Sequence, residues 1–156
     1  MPATKLKDFL DQHRVKYVSV RHSTAYTSQE IAASAHVKGR NMAKTVVVRL
    51  SGKLALAVLP AKFNVDLPRL AQAAGAGDAE LASEQEFEKH FPGCETGAMP
   101  PFGNLFGLPV YVDQTLTRDE EIAFNACSHT ELILMSYEDF KRLAAPRVGS
   151  FSVLRH

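Results

Sequence analysis

Thr45-Val46-Val47-Val48-Arg49-Leu50 is a run of β-branched and apolar residues, followed by Ser51-Gly52 and a second apolar run over residues 54–59. β-Branched side chains fit a pleated surface, and two such runs joined by a small flexible pair predict a β-hairpin. The hairpin decides the fold class, because helical patterns lie on both sides of it without a regular strand–helix alternation. Outward toward the N-terminus, Tyr17, Val18 and Val20 predict a strand, and Leu6, Phe9, Leu10 and His13 fall near helical spacing, which predicts a first helix over residues 3–14. Between them and the hairpin, Thr27-Ser28-Gln29-Glu30 sets a hydroxyl three residues before a carboxylate. That capping box starts a helix through Ile31 to about Ala35, and Gly39-Arg40-Asn41 breaks the chain again.

Outward toward the C-terminus, Asp66 caps a short helix ending before Gly75, and Ser83 with Glu86 starts another that Pro92-Gly93 stops. Strands follow over residues 108–112, 122–125 and 131–135. Ser136 with Asp139 caps a helix through Leu143, and residues 150–154 add an edge strand. The expected fold is α+β, a mixed β-sheet core with surrounding helices, in one domain over residues 1–156.

Residues 92–109 have a different character. Pro92, Pro100, Pro101 and Pro109 fall there together with Gly93, Gly97, Gly103 and Gly107, a density that no helix or central strand tolerates. Met99, Phe102, Leu105 and Phe106 are nonetheless apolar. A long loop with an apolar lining packs down onto the protein and commonly carries function.

Composition narrows the chemistry. Hydrophobic residues make up 46% of the 156 positions and charged residues 22%, ordinary for a globular chain long enough to bury its own core. The net charge of +1 argues against a tight, sequence-blind nucleic-acid binder, so a polyanionic partner is gripped locally. Cys94 and Cys127 belong to no C-x-x-C motif, and the expectation is a reducing, cytoplasmic setting without a disulfide scaffold. No apolar run is long enough to cross a membrane, and residues 1–7 lack the apolar stretch of a signal peptide.

Dinucleotide-binding, P-loop and nucleophile-elbow motifs are all absent. Gly75-Ala76-Gly77 reads as a helix exit. His90 and Cys94 are four apart, but Pro92-Gly93 intervenes, so they do not share a helical face and no zinc site is expected. His13, His36 and His156 read as surface residues, and no cofactor is expected.

Three segments in series carry a resemblance: Ala43-Lys44-Thr45 leading into the valine strand, Gly97-Ala98-Met99-Pro100-Pro101-Phe102-Gly103, and Phe124-Asn125-Ala126-Cys127-Ser128-His129 before a strand. In this order and spacing the chain resembles the YbaK/ProX family of aminoacyl-tRNA deacylases, whose domain is also the editing insertion of bacterial prolyl-tRNA synthetases. The resemblance runs from about Leu6 to Leu143. It implies the editing-domain fold and a trans-editing hydrolase that splits the ester joining a wrong amino acid to tRNA. It also implies that the partners are the acceptor end of mischarged tRNA and a synthetase.

By position the resemblance assigns catalysis to Lys44, Gly97, Pro101 and His129. Substrate contact falls to Tyr26, Thr45, Ala98, Met99, Pro100, Phe102 and Ser128, with Phe102 also serving as the loop's anchor. The chain departs from the family pattern at Cys127, where glycine is usual, and at Thr45, where the alanine-clearing branch has asparagine. The second departure points away from alanine, toward cysteine, serine or threonine.

The residue types suit this chemistry. An aminoacyl ester is already activated and needs no Ser-His-Asp triad. It needs a fixed cation, amide donors aimed at the developing oxyanion and a size-limited pocket. Other readings of the same residues stand beside this one. Lys44 also fits a strand-end lysine whose stem lies along apolar neighbours. His129 fits a structural strand-start residue, and Tyr26 a core aromatic. The whole chain equally fits an inactive module of the same fold that binds tRNA or a synthetase.

Overall fold

The computed structural model of the chain describes residues 2–21, 42–91, 94–95 and 98–154. The capping box at Thr27, the helix after it, the break at Gly39, Tyr26, His36, Gly97 and His156 lie outside the described residues.

The hairpin forms as the pattern predicts. Strands β2 (Ala43–Leu50) and β3 (Lys53–Pro60) pair antiparallel in continuous register from Ala43 opposite Pro60 to Leu50 opposite Lys53. Period-two alternation splits their side chains between two cores. Ala43, Val47, Leu56 and Val58 pack on one side, and Val48, Leu50, Ala55, Ala57 and Leu59 on the other. The hairpin is therefore buried on both faces, which is why its sequence reads as an apolar run rather than an alternation. β5 (Ala79–Leu81) pairs antiparallel with β2, while β6 (Val110–Asp113) runs parallel to β3 and β9 (Arg147–Gly149) parallel to β6. The order β5-β2-β3-β6-β9 is a mixed sheet.

A second sheet orders β1 (Tyr17–Arg21), β8 (Glu131–Ser136) and β7 (Glu121–Asn125), all antiparallel. It covers the first core together with helices α1 (Pro2–Gln12) and α4 (Tyr137–Ala144), which contribute Leu6, Leu10, Tyr137 and Phe140. A parallel bridge from Met42 to Ala123 ties the start of β2 to β7 and so joins the two sheets. On the other side lies α2 (Leu67–Ala74). Its Asp66 cap accepts from Arg69 N at 3.1 Å, and Gly75 ends it in the left-handed conformation that glycine adopts without strain.

Helix α3 (Glu84–His90) opens on a reciprocal capping box. Ser83 Oγ accepts from Glu86 N, and the Glu86 carboxylate accepts from Ser83 N, both at 3.2 Å. Three short strands were not expected: β5, β9 and β4 (Phe63–Val65). At three residues each they are too short to carry a period. β4 pairs with β10 (Ser152–Leu154), the edge strand expected at the tail.

The loop turns on Phe102. This fully buried ring makes edge-on contacts with Phe9 of α1, Phe124 of β7 and Phe140 of α4, at centroid distances of 5.8, 5.7 and 5.6 Å. Gly103 follows because nothing larger fits: a Cβ there would sit 2.2 Å from the Leu108 carbonyl oxygen. That approach lets Gly103 O accept from Phe106 N and Leu108 N, which closes the loop into β6.

Asp113 at the end of β6 is buried and ties the tail down. One carboxylate oxygen accepts from Phe151 N at 2.8 Å and Ser152 N at 3.1 Å, and the other from Ser152 Oγ at 2.9 Å and from Thr115. Burial pushes its pKa up, but the hydrogen bonds from Thr115, Phe151 and Ser152 outweigh burial and hold it below the ordinary carboxylate value. A depressed folded-state pKa stabilises fully once the unfolded carboxyl is ionised, above about pH 4, and that stabilisation is lost as pH falls toward the folded value. Asp113→Asn should therefore cost about 2 kcal/mol at neutral pH and flatten the acid limb of the stability curve. Urea denaturation of both proteins from pH 7 down to pH 3 measures it.

Candidate active site

Lys44 and Thr45 are neighbours in β2 that face opposite sides of the sheet. Lys44 is half-buried, opposite Leu59, and strand alternation puts it on the side of Val46 and Val48. Thr45 sits opposite Val58, is 5% exposed, and its Oγ1 has no hydrogen-bond partner among the described residues. It faces the side of Ala43 and Val47, the core that also holds Met99 and Phe102.

Three segments converge on β7. The Met42–Ala123 bridge runs parallel, and two residues further along each strand lie Lys44 and Asn125. From Asn125 the chain enters Ala126-Cys127-Ser128-His129, and the loop is bonded to that turn. Cys127 N donates to Ala98 O at 2.8 Å, and Glu95 N donates to Cys127 O at 3.0 Å. The start of β2, the proline loop and the 126–130 turn are thus neighbours in the fold, although 84 residues separate Lys44 from Ser128 in a chain of 156.

Within the loop, Ala98, Met99, Pro100, Pro101 and Phe102 are all buried. Ala98 N donates to Glu95 O at 3.0 Å, and Pro100 and Pro101 carry no N–H. Among the described residues 98–101 the one backbone donor not engaged in a hydrogen bond is therefore that of Met99. Ser128 is half-buried and His129 exposed. Ser128 Oγ lies 2.8 Å from Thr130 Oγ1 and accepts from Thr130 N at 3.1 Å.

Two features of this region were not read from the sequence. Glu95 is the first: its carboxylate accepts from His129 N at 2.9 Å and from Ser128 Oγ at 3.4 Å. The second corrects the cysteine expectation. Cys94 and Cys127 form a disulfide with their Cα atoms 4.4 Å apart. Their 33-residue separation contains no motif, and only the seating of the loop on the end of β7 brings them together. Cys127 has φ +66°, the left-handed conformation natural to the glycine it replaces, at a backbone cost of about 1–2 kcal/mol for a residue with a Cβ. The departure from the family pattern thus leaves the turn's conformation glycine-like.

Among the described residues no cluster of His, Cys, Asp or Glu has the arrangement of a metal site, and no helix is long and apolar enough to cross a membrane.

Comparison with known proteins identifies the family and the fold. The aminoacyl-tRNA editing domain family matches residues 22–143. The Multifunctional Ser/Thr-tRNA deacylase ProXp-y of Escherichia coli (strain K12) is 35% identical over 114 residues, covering 70% of this chain and 68% of that protein. A crystal structure described as a candidate trans-editing enzyme for prolyl tRNA synthetase superposes with TM-score 0.83 at 19% identity, covering 97% of both chains. The crystal structure of hypothetical protein APE2540 gives 0.82 at 18% identity, covering 96% of this chain and 99% of that one. The two structures establish the mixed-sheet α+β editing-domain fold.

A buried hydroxyl without a partner is destabilising, and an apolar residue of the same shape removes the penalty. Thr45→Val should raise stability by about 1 kcal/mol, read as the shift in denaturation midpoint at constant slope.

Proposed function

The chain belongs to the aminoacyl-tRNA editing domain family, and from that premise we infer that it is a trans-editing hydrolase acting on mischarged tRNA. Water adds to the aminoacyl carbonyl carbon, the ester C–O bond breaks, and the ribose oxygen leaves, taking a proton from that water to become a hydroxyl. The products are free amino acid and uncharged tRNA.

The observation that carries the reading is the junction at β7, where the family's lysine strand, proline loop and polar turn meet. In this reading the Lys44 ammonium holds the phosphate side of the terminal nucleotide. The donor for the developing oxyanion comes from the loop that starts at Gly97. Ala98 N–H is committed to Glu95, and the prolines have none, so Met99 N–H is the described donor left for that role. Pro100 and Pro101 keep the loop from yielding, at low entropic cost. Ala98 and Met99 limit the size of the bound side chain. Ser128 and His129 stand beside the ester, and the family resemblance assigns Tyr26 to the wall. Phe102, sealed among three rings, anchors the loop.

Finer assignments follow from the same site. The orphan hydroxyl of Thr45 favours an amino acid whose side chain brings a hydroxyl partner, serine or threonine. The Escherichia coli relative bears Ser/Thr-tRNA in its name. The whole chain acts as one editing domain, in the cytoplasm where charged tRNA is made, and a synthetase is a natural source of its substrate.

The test is loss of label from a panel of mischarged tRNAs. Wild type should clear seryl- or threonyl-tRNA. Lys44→Ala should lower that rate by about 10²-fold or more with the melting temperature nearly unchanged. No turnover on any substrate, with tRNA still bound, would mean a binding module instead.

A companion measurement reads the pocket wall. Met99→Ala should cost about 2–5 kcal/mol of stability and speed removal of larger aminoacyl groups relative to small ones. Rates across the panel, taken well below the melting temperature, check the change of ranking.

A further inference from the structure

We propose that Glu95 is a positioning residue, which holds the Ser128–His129 turn against the loop so that both side chains face the ester. The proposal rests on the deacylase reading above.

Glu95 is bonded through every polar group it has. Its N–H donates to Cys127 O, its carbonyl accepts from Ala98 N, and its two carboxylate oxygens accept from Ser128 Oγ and His129 N. Cys94, its neighbour, is joined to Cys127. Loop and turn are thus pinned at one residue, with Glu95 supplying the only side-chain hydrogen bonds between them among the described residues.

The chemistry asks for a carboxylate. An O–H and an N–H from adjacent residues must be met by two acceptors at a fixed spacing, and an ionised carboxylate offers both. Glutamine offers one acceptor and one amino group, so it keeps one bond and opposes the other. Alanine keeps neither.

Glu95 is exposed, so its removal should change global stability little. Its effect falls on geometry, where a displacement of about 1 Å at a reacting group costs on the order of 10²-fold. The expected signature is a rate defect without a folding defect.

The experiment compares wild type, Glu95→Ala, Glu95→Gln and the exposed control Glu138→Gln on the mischarged tRNA that wild type clears best. Glu95→Ala should lower kcat about 10- to 100-fold with KM nearly unchanged and melting within a few degrees of wild type. Glu95→Gln should recover part of the loss, and the control should match wild type. In a Ser128→Ala, His129→Ala background, Glu95→Ala should have no further effect, because the groups it positions are gone.

A further loss of undiminished size in that background would mean that Glu95 itself touches substrate, and would overturn the proposal. Glu95→Ala at the wild-type rate overturns it while leaving the deacylase reading intact. A Ser128→Ala, His129→Ala protein at the wild-type rate overturns it too, since the turn would then lie outside the site. Wild type inactive on every tRNA overturns the functional reading and this one with it. If Glu95→Ala fails to fold, Glu95→Gln carries the same comparisons.

Discussion

The seating of Phe102 is the contact on which the rest of the molecule depends. One side chain touches the first helix, the antiparallel sheet and the last helix through three edge-on ring contacts. It does so from a segment whose described residues hold neither strand nor α-helix, only the single 3₁₀ turn Gly103–Leu105 that Phe102 precedes. Its neighbours Ala98 to Pro101 are buried with it, and the turn after β7 is hydrogen-bonded to the loop. A loop usually sits on the surface because its backbone needs water. Here proline removes donors, Glu95 and Cys127 absorb others, and an aromatic ring offsets the ordering entropy by burial.

Much of this was legible in the chain, and the reason is physical. The hairpin announced itself because burial on both faces forces a continuous β-branched run. The helix starts at Asp66, Ser83 and Ser136 were legible because capping is local, a side chain answering an N–H three residues away. The proline–glycine loop stood out by composition. What stayed hidden was non-local. Strands β4, β5 and β9 exist only because a neighbouring strand needs its hydrogen bonds met. Glu95 carried no signal, since its partners lie 33 and 34 residues away. Cys94 and Cys127 carried no pairing signal for the same reason.

The site shows the same division. Lys44 and Thr45 were picked out by position beside the valine run, but only the register reveals that they serve opposite faces of one sheet. One residue of slip in β2 would exchange them, moving a lysine into the apolar core and a hydroxyl out of it. The side-chain period is two, so that register is strongly specified. A continuous ladder of eight pairs with β3, reinforced by the bridge from Met42 to β7, holds it.

The second sheet has a consequence for how the molecule is made. Its edge strand β1 finds its partner β8 late: Ser19 meets Glu131, 112 residues further along the chain. On the ribosome the first helix and first strand therefore emerge long before anything exists to cover them. Loop closure over such a distance is slow, and the core around Phe102 cannot form until the last helix has been synthesised. Strand β1 spends that interval as an unpaired edge carrying Val18 and Val20, the kind of segment that chaperones guard. Even in the finished protein Val18 stays 58% exposed.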